Sequence, residues 1–162
     1  MTDIVTVDIG GTHARFAIAS IASDGAITLG ESTTLRTEDH PAFAAAWEEF
    51  ARTANRPLPR AAALSIAAPV GGEVVHLVNN PWKIAKAELA SGMGLDAFTV
   101  VNDFGAVGHA VARLGAEHFA HLSGPDRPLP PAGTITILGP GTGLGVAHLW
   151  RDGAGTYRVQ AT

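Results

Sequence analysis

The sequence predicts a mixed α/β fold whose sheet opens on antiparallel strands and continues with strands joined through helices. Three observations predict it. Short β-branched runs flank a glycine pair near the start, the apolar period changes to helical spacing after residue 40, and two later apolar runs have the length of buried strands. The chain has 162 residues, 46% of them hydrophobic, enough for one sizeable core and scarcely for two full domains.

Ile4 to Val7 form the first short β-branched run, which ends at Asp8 and the Gly10-Gly11 pair before Arg15 to Ala19 resumes an extended pattern. That pattern predicts a hairpin, and the Asp24-Gly25 turn signal sets off a third strand near Ala26 to Leu35. From Pro41, Phe43, Trp47, Phe50 and Ala54 recur at helical spacing, with Asp39 or His40 available as a cap and Pro41 suited to the first turn. Ala61 to Ala68 is a continuous apolar run, expected for a strand buried on both faces, and Pro69 closes it. Val74 to Val78 predicts another strand, and a helical segment from about Ile84 to Ala90 ends near Gly92 and Gly94.

Ala97 to Val101 predicts the next buried strand, with Asn102-Asp103 at its carboxyl end and a helix after it carrying Phe104, Val107, Val111 and Leu114 on one face. That register puts Asp103 at a strand-to-helix junction, where open α/β sheets hold ligands. Residues 124–133 carry four prolines and predict an exposed linker between a first domain, 1–123, and the beginning of a second, 134–162. In the latter, Thr134 to Leu138 enters Gly139-Pro140-Gly141-Thr142-Gly143-Leu144-Gly145, and Val146 to Trp150 leaves as a strand. Strand, Gly-Thr turn, strand thus occurs twice, the signature of two related halves offering glycine turns to one ligand.

Charge and composition remove several function classes. Eleven basic against 15 acidic residues give a net charge of −4 with no basic run, which argues against nucleic acid as a partner. No apolar run approaches the roughly 20 residues of a spanning helix, and there is no signal-peptide pattern, so the expectation is a soluble, cytoplasmic chain without a membrane partner. The absence of cysteine excludes disulfides, thiolate metal sites and cysteine nucleophiles. The lysines are Lys83 and Lys86, neither in a glycine loop, so there is no P-loop; the second glycine cluster does not fit the dinucleotide spacing.

Gly10, Gly11 and Thr12 offer backbone N–H groups and a hydroxyl to an anion such as phosphate, or else form an ordinary tight turn. Asp8 is either a Mg²⁺ ligand through water or a turn-initiating residue. Asp103 is either a general base, with Asn102 orienting the same substrate, or the cap of the following helix.

Asp8-Ile9-Gly10-Gly11-Thr12-His13-Ala14-Arg15, Val101-Asn102-Asp103-Phe104 and Gly139 to Ala147 resemble, in order, the motifs of bacterial ATP-dependent glucokinases, and the resemblance extends through Ala68-Pro69-Val70 and Asn79-Asn80-Pro81-Trp82. It implies the actin-like, ribonuclease H-like fold of sugar kinases, with ATP and glucose as substrates and Mg²⁺ as cofactor. Carried over by position, Asp8, Ile9, Gly10, Gly11 and Thr12 form the first phosphate loop, with Asp8 positioning Mg²⁺. Gly141, Thr142 and Gly143 form the second, Gly143 also facing the sugar, which Asn102 and Asp103 hold. In the implied mechanism Asp103 takes the proton of the glucose 6-hydroxyl as it attacks the γ-phosphoryl, giving glucose 6-phosphate and ADP.

Two departures qualify the resemblance. His13 stands where the family commonly has asparagine, and family members are roughly twice as long, so the chain resembles their amino-terminal part and alone is expected to be a poor kinase. The resemblance leaves room for a homodimer of the full-length protein. Two other readings compete: a non-catalytic sugar or nucleotide sensor, favoured by glucose affinity without turnover, and an assembly module that covers apolar surface near Ile135 to Trp150.

Overall fold

Along β1 (Thr2–Ile9), Val5, Val7 and Ile9 are buried and alternate with less buried neighbours, the period-two pattern of a strand with one face on a core. This is a computed structural model, and it describes residues 1–78, 80–140 and 144–161. The described chain divides into two compact units, Met1–Asp103 and Phe104–Thr162.

In the first unit, β1 pairs antiparallel with β2 (His13–Ile21) and parallel with β5 (Ala61–Ile66), which in turn pairs parallel with β8 (Ala97–Asn102). The expected third strand is two short ones, β3 (Ile27–Leu29) and β4 (Thr33–Arg36), both antiparallel to β2. Gly30 separates them; its N–H donates to the Ile18 carbonyl, and a Cβ there would lie 2.9 Å from that oxygen. The sheet order is β3-β2-β1-β5-β8, with β4 also on β2.

α1 (Phe43–Thr53) presents Phe43, Ala46, Trp47 and Phe50 to the sheet, where the Phe16 ring stacks on Phe43 and Phe50 and meets Trp47 edge-on. These large rings, with Trp82 against Phe43, form the centre of the core. The expected caps are not used: α1 follows Ala42 in extended backbone, and Pro41 precedes the helix instead of entering its first turn. Asp39 belongs to a 3-10 turn (Thr37–Asp39), and the His40 ring is engaged by the Arg36 carbonyl and the Glu49 carboxylate.

The expected strand at 74–78 is shorter, β6 (Val74–His76), and it pairs with β7 (Lys83–Ala85). That pairing takes Ile84 out of the helix expected from it, so α2 (Lys86–Met93) begins two residues later and ends at Gly94, whose φ of 65° is the left-handed conformation of a helix C-terminus. β5 buries one face fully and the other partly, and β8 is a half-exposed edge strand rather than a strand buried on both faces. Edge position overrides its apolar sequence.

In the second unit, β9 (Ala132–Pro140), β10 (Leu144–Asp152) and β11 (Tyr157–Ala161) form an antiparallel meander. α3 (Asp103–Arg113) buries Gly105 and Gly108, not the expected apolar stripe; Val107 and Leu114 are exposed. A Cβ on Gly108 would come within 2.6 Å of Val159 on β11, so this helix approaches the meander at Gly108. Residues 124–133 lie within this unit and contain no regular element before β9 begins at Ala132.

Candidate functional site

Parallel pairing decides where the first-unit candidates meet. The register aligns Ile9, Ile66 and Asn102 across β1, β5 and β8, so all three strands end at one edge of the sheet. Asp8 lies one residue before that edge on β1, the Gly10-Gly11-Thr12 turn just beyond it, and Asn102-Asp103 at the end of β8. Only β5 separates β1 from β8, a span of roughly 10 Å. The carboxyl edge of parallel strands is where open α/β sheets bind ligands. Thus Ile9 and Asn102, 93 residues apart in sequence, stand two strand spacings apart.

The first turn is built from both ends. The Gly10 N–H donates to the His13 carbonyl at 2.9 Å, so this amide closes the turn and does not face a ligand, contrary to the open N–H expected there. The turn itself does not require glycine at either position. Neither Gly10 nor Gly11 has positive φ, and a Cβ on either would meet nothing closer than 3.6 Å, ordinary van der Waals distance. The fold itself does not demand glycine here, whereas an approaching ligand would. Thr12 is exposed, and its hydroxyl shares a 3.0 Å hydrogen bond with Nδ1 of His13.

The Asp8 carboxylate is half-exposed. One oxygen accepts from Nη1 of Arg15, its cross-strand partner, at 3.0 Å, and the other accepts from the Ser65 hydroxyl at 3.3 Å. Ile9 is fully buried, so its part in the turn is to anchor the strand. Asn102 donates its side-chain amide to the Ala68 carbonyl at 3.2 Å, which ties the end of β8 to the segment leaving β5. The roles of Ser65 and Ala68 come from register and were not legible in the sequence, whose apolar run to Ala68 predicts a strand two residues longer than β5, which ends at Ile66.

Of the second turn, Gly141, Thr142 and Gly143 lie outside the described residues, as does Asn79. Its base is described. Gly139 and Gly145 are cross-strand partners, and a Cβ on them would lie 2.2 and 1.8 Å from the Phe104 ring. The ring occupies the space two side chains would fill, as aromatic side chains do over strand glycines. Leu138, Leu144 and Trp150 on the same meander are exposed, in line with the apolar surface expected there.

These arrangements match a known family. The glucokinase family model matches residues 5–162. The chain belongs to the glucokinase family. It is 53% identical over 160 residues to a glucokinase of Zymomonas mobilis, covering 99% of this chain and 49% of that protein. A glucokinase of Paramagnetospirillum magneticum is 37% identical over 162 residues, with 98% of this chain and 48% of that protein covered. Among solved structures, a glucokinase from an Antarctic psychrotroph superposes with a TM-score of 0.81 at 27% identity, over 100% of this chain and 50% of the other. The chain therefore spans about half the length of the curated glucokinases it matches, and its fold is the actin-like ATPase fold of sugar kinases, with the expected mixed sheet. Among the described residues no helix is long and apolar enough to cross a membrane.

Proposed function

We propose that this chain supplies the nucleotide-phosphate turn and the proton-accepting carboxylate of a glucokinase, which transfers the γ-phosphoryl group of ATP to the 6-hydroxyl of glucose. The observation that carries the reading is the first turn: two glycines that no backbone conformation and no internal packing demand, at the sheet edge that also holds Asn102 and Asp103. Membership of the glucokinase family supports it.

In this reading the bare backbone of Gly10, Gly11 and Thr12 lies against the phosphates, and Gly141, Thr142 and Gly143 do the same from the second hairpin. Asn102 and Asp103 hold the sugar hydroxyl; the Asp103 carboxylate takes its proton as the oxygen bonds to the γ-phosphorus, and ADP leaves with the electron pair of the broken bond. Holding both reactants at one edge supplies much of the acceleration, because phosphoryl transfer depends chiefly on alignment and charge neutralisation.

The residues present fit a bound Mg²⁺. Protein-bound Mg²⁺ usually keeps several waters and takes one or two carboxylates plus substrate phosphates, and each Asp8 oxygen keeps a lone pair beyond its single hydrogen bond. Asp8 would hold it through water, and the ion would offset phosphate charge. The same reading places the protein in the cytoplasm, with ATP and glucose as its small-molecule partners.

The test is a coupled assay of ATP-dependent glucose 6-phosphate formation by the naturally expressed protein and its Asp103→Ala variant. We expect kcat to fall by about 10²–10⁴-fold, the usual contribution of a positioned base. Undiminished turnover in Asp103→Ala, or none in the wild type, would overturn the reading.

A further inference from the structure

Asn80 and Trp82 belong to none of the sites described above, yet Asn80 reaches the first glycine turn. Its Nδ2 donates to the Gly11 carbonyl at 3.1 Å, while its Oδ1 accepts the Trp82 N–H at 2.8 Å. These two partners fix the orientation of the amide, since a backbone N–H requires an oxygen and a carbonyl requires a donor. Trp82 is the anchor: it is 1% exposed, and its Nε1 donates to the His40 carbonyl at 2.9 Å.

Thr37 is the second support. It is a buried polar residue, 4% exposed, and its hydroxyl donates to the same Gly11 oxygen at 2.8 Å. Its N–H donates to the Thr12 carbonyl at 3.0 Å. One carbonyl oxygen thus accepts two side-chain donors, from elements 43 residues apart in sequence, and both of its lone pairs are committed.

This clamp has a directional consequence. The Gly11–Thr12 peptide is trans, so its C=O and N–H point in opposite directions. With the carbonyl turned inward to Thr37 and Asn80, the Thr12 N–H is turned outward, on an exposed residue. Two donors on the carbonyl also polarise the amide and make its N–H a stronger donor.

We propose that Thr37 and Asn80 are positioning residues that lock the Gly11–Thr12 peptide with its N–H aimed at the nucleotide phosphates. The inference rests on the kinase reading above. Neither side chain touches the nucleotide; both act through one peptide plane, so their loss weakens nucleotide binding selectively.

Steady-state kinetics of glucose 6-phosphate formation by the naturally expressed protein tests this with Thr37→Val, Thr37→Ser and Asn80→Asp. Valine keeps the shape of threonine without its hydroxyl, serine keeps the hydroxyl, and aspartate keeps the acceptor for Trp82 while losing the donor to Gly11. We expect KM for MgATP to rise about tenfold in Thr37→Val, the scale of one lost hydrogen bond, and further in Asn80→Asp, which also turns a carboxylate oxygen toward the Gly11 carbonyl. KM for glucose stays at its wild-type value, the thermal midpoint of Thr37→Val falls by no more than the few degrees that one lost hydrogen bond costs, and Thr37→Ser behaves as wild type. An unchanged KM for MgATP overturns the inference. So does a parallel shift of both KM values and the thermal midpoint, which marks a merely structural clamp. A wild type without ATP-dependent turnover overturns the kinase reading and this inference with it, and is distinguishable because it needs no variant.

Discussion

The two glycine-rich hairpins share a strand, Gly-Thr turn, strand pattern, and the structure holds them by opposite means. The first is secured from outside by hydrogen bonds: Thr37 and Asn80 grip its carbonyls, and β5 continues its sheet on the parallel side. Its glycines have room for a Cβ and do not use left-handed backbone. The second is secured by packing, with the Phe104 ring seated where Gly139 and Gly145 lack side chains. Glycine in one hairpin therefore leaves open space, which the proposed function gives to phosphates, and in the other makes room for a ring that is always present. Identical sequence patterns need not have identical physical causes.

Four substitutions break or sharpen this contrast. Largest is Gly145→Ala, whose methyl group would meet the Phe104 ring; overpacking of this kind costs about 1–3 kcal/mol, read as a lower denaturant midpoint with an unchanged slope. If the ring is the cause, the double variant Gly145→Ala with Phe104→Ala recovers part of that loss, a coupling that a double-mutant cycle reports. Next is Gly11→Ala, expected to leave the midpoint within about 0.5 kcal/mol of wild type while raising KM for MgATP. A stability loss equal to that of Gly145→Ala would erase the distinction between the hairpins.

Smallest is a pH effect confined to the support of the first hairpin. Both His40 ring nitrogens face acceptors, the Arg36 carbonyl at 2.9 Å and the Glu49 carboxylate at 3.0 Å, and this pair of hydrogen bonds holds its pKa above the ordinary 6.5. The imidazolium is thus bound more firmly in the folded chain. Its stabilisation is fully present below the unfolded-state value of 6.5 and is lost as pH rises through the higher folded-state pKa. Thermal melts from about pH 6 to about pH 9 should show a declining midpoint. His40→Gln, which has no such proton to lose, should flatten that decline.

Much of the fold was legible because local chemistry and tertiary structure agree. The β-branched run before Gly10, the spacing of Phe43, Trp47 and Phe50, and the apolar run from Ala61 each became the element they suggest. β11 has a local signal as well: Asp152-Gly153 repeats the Asp24-Gly25 turn signal, and the Asp152 carboxylate, held below the usual range by accepting the Ala154 N–H and then that of Thr156, builds the turn before it. The ribbon of β6 and β7 was not legible, since the pairing of Val75 with Ile84 is a contact between segments that each look like something else.

The same division runs through the site. By itself the sequence determined the chemical inventory: a carboxylate before a glycine turn, an Asn-Asp pair at a strand end, no thiol and no P-loop lysine, together with the family to which these motifs belong. It also determined that Asp103 would stand where a strand gives way to a helix, because that follows from local periodicity. Only tertiary structure decided that β1, β5 and β8 end in register, that Gly10 turns its amide inward, and that Thr37 and Asn80 share one carbonyl oxygen. Such facts depend on hydrogen bonds and packing between residues far apart in the chain, and no local pattern encodes which of two distant donors will meet a given acceptor.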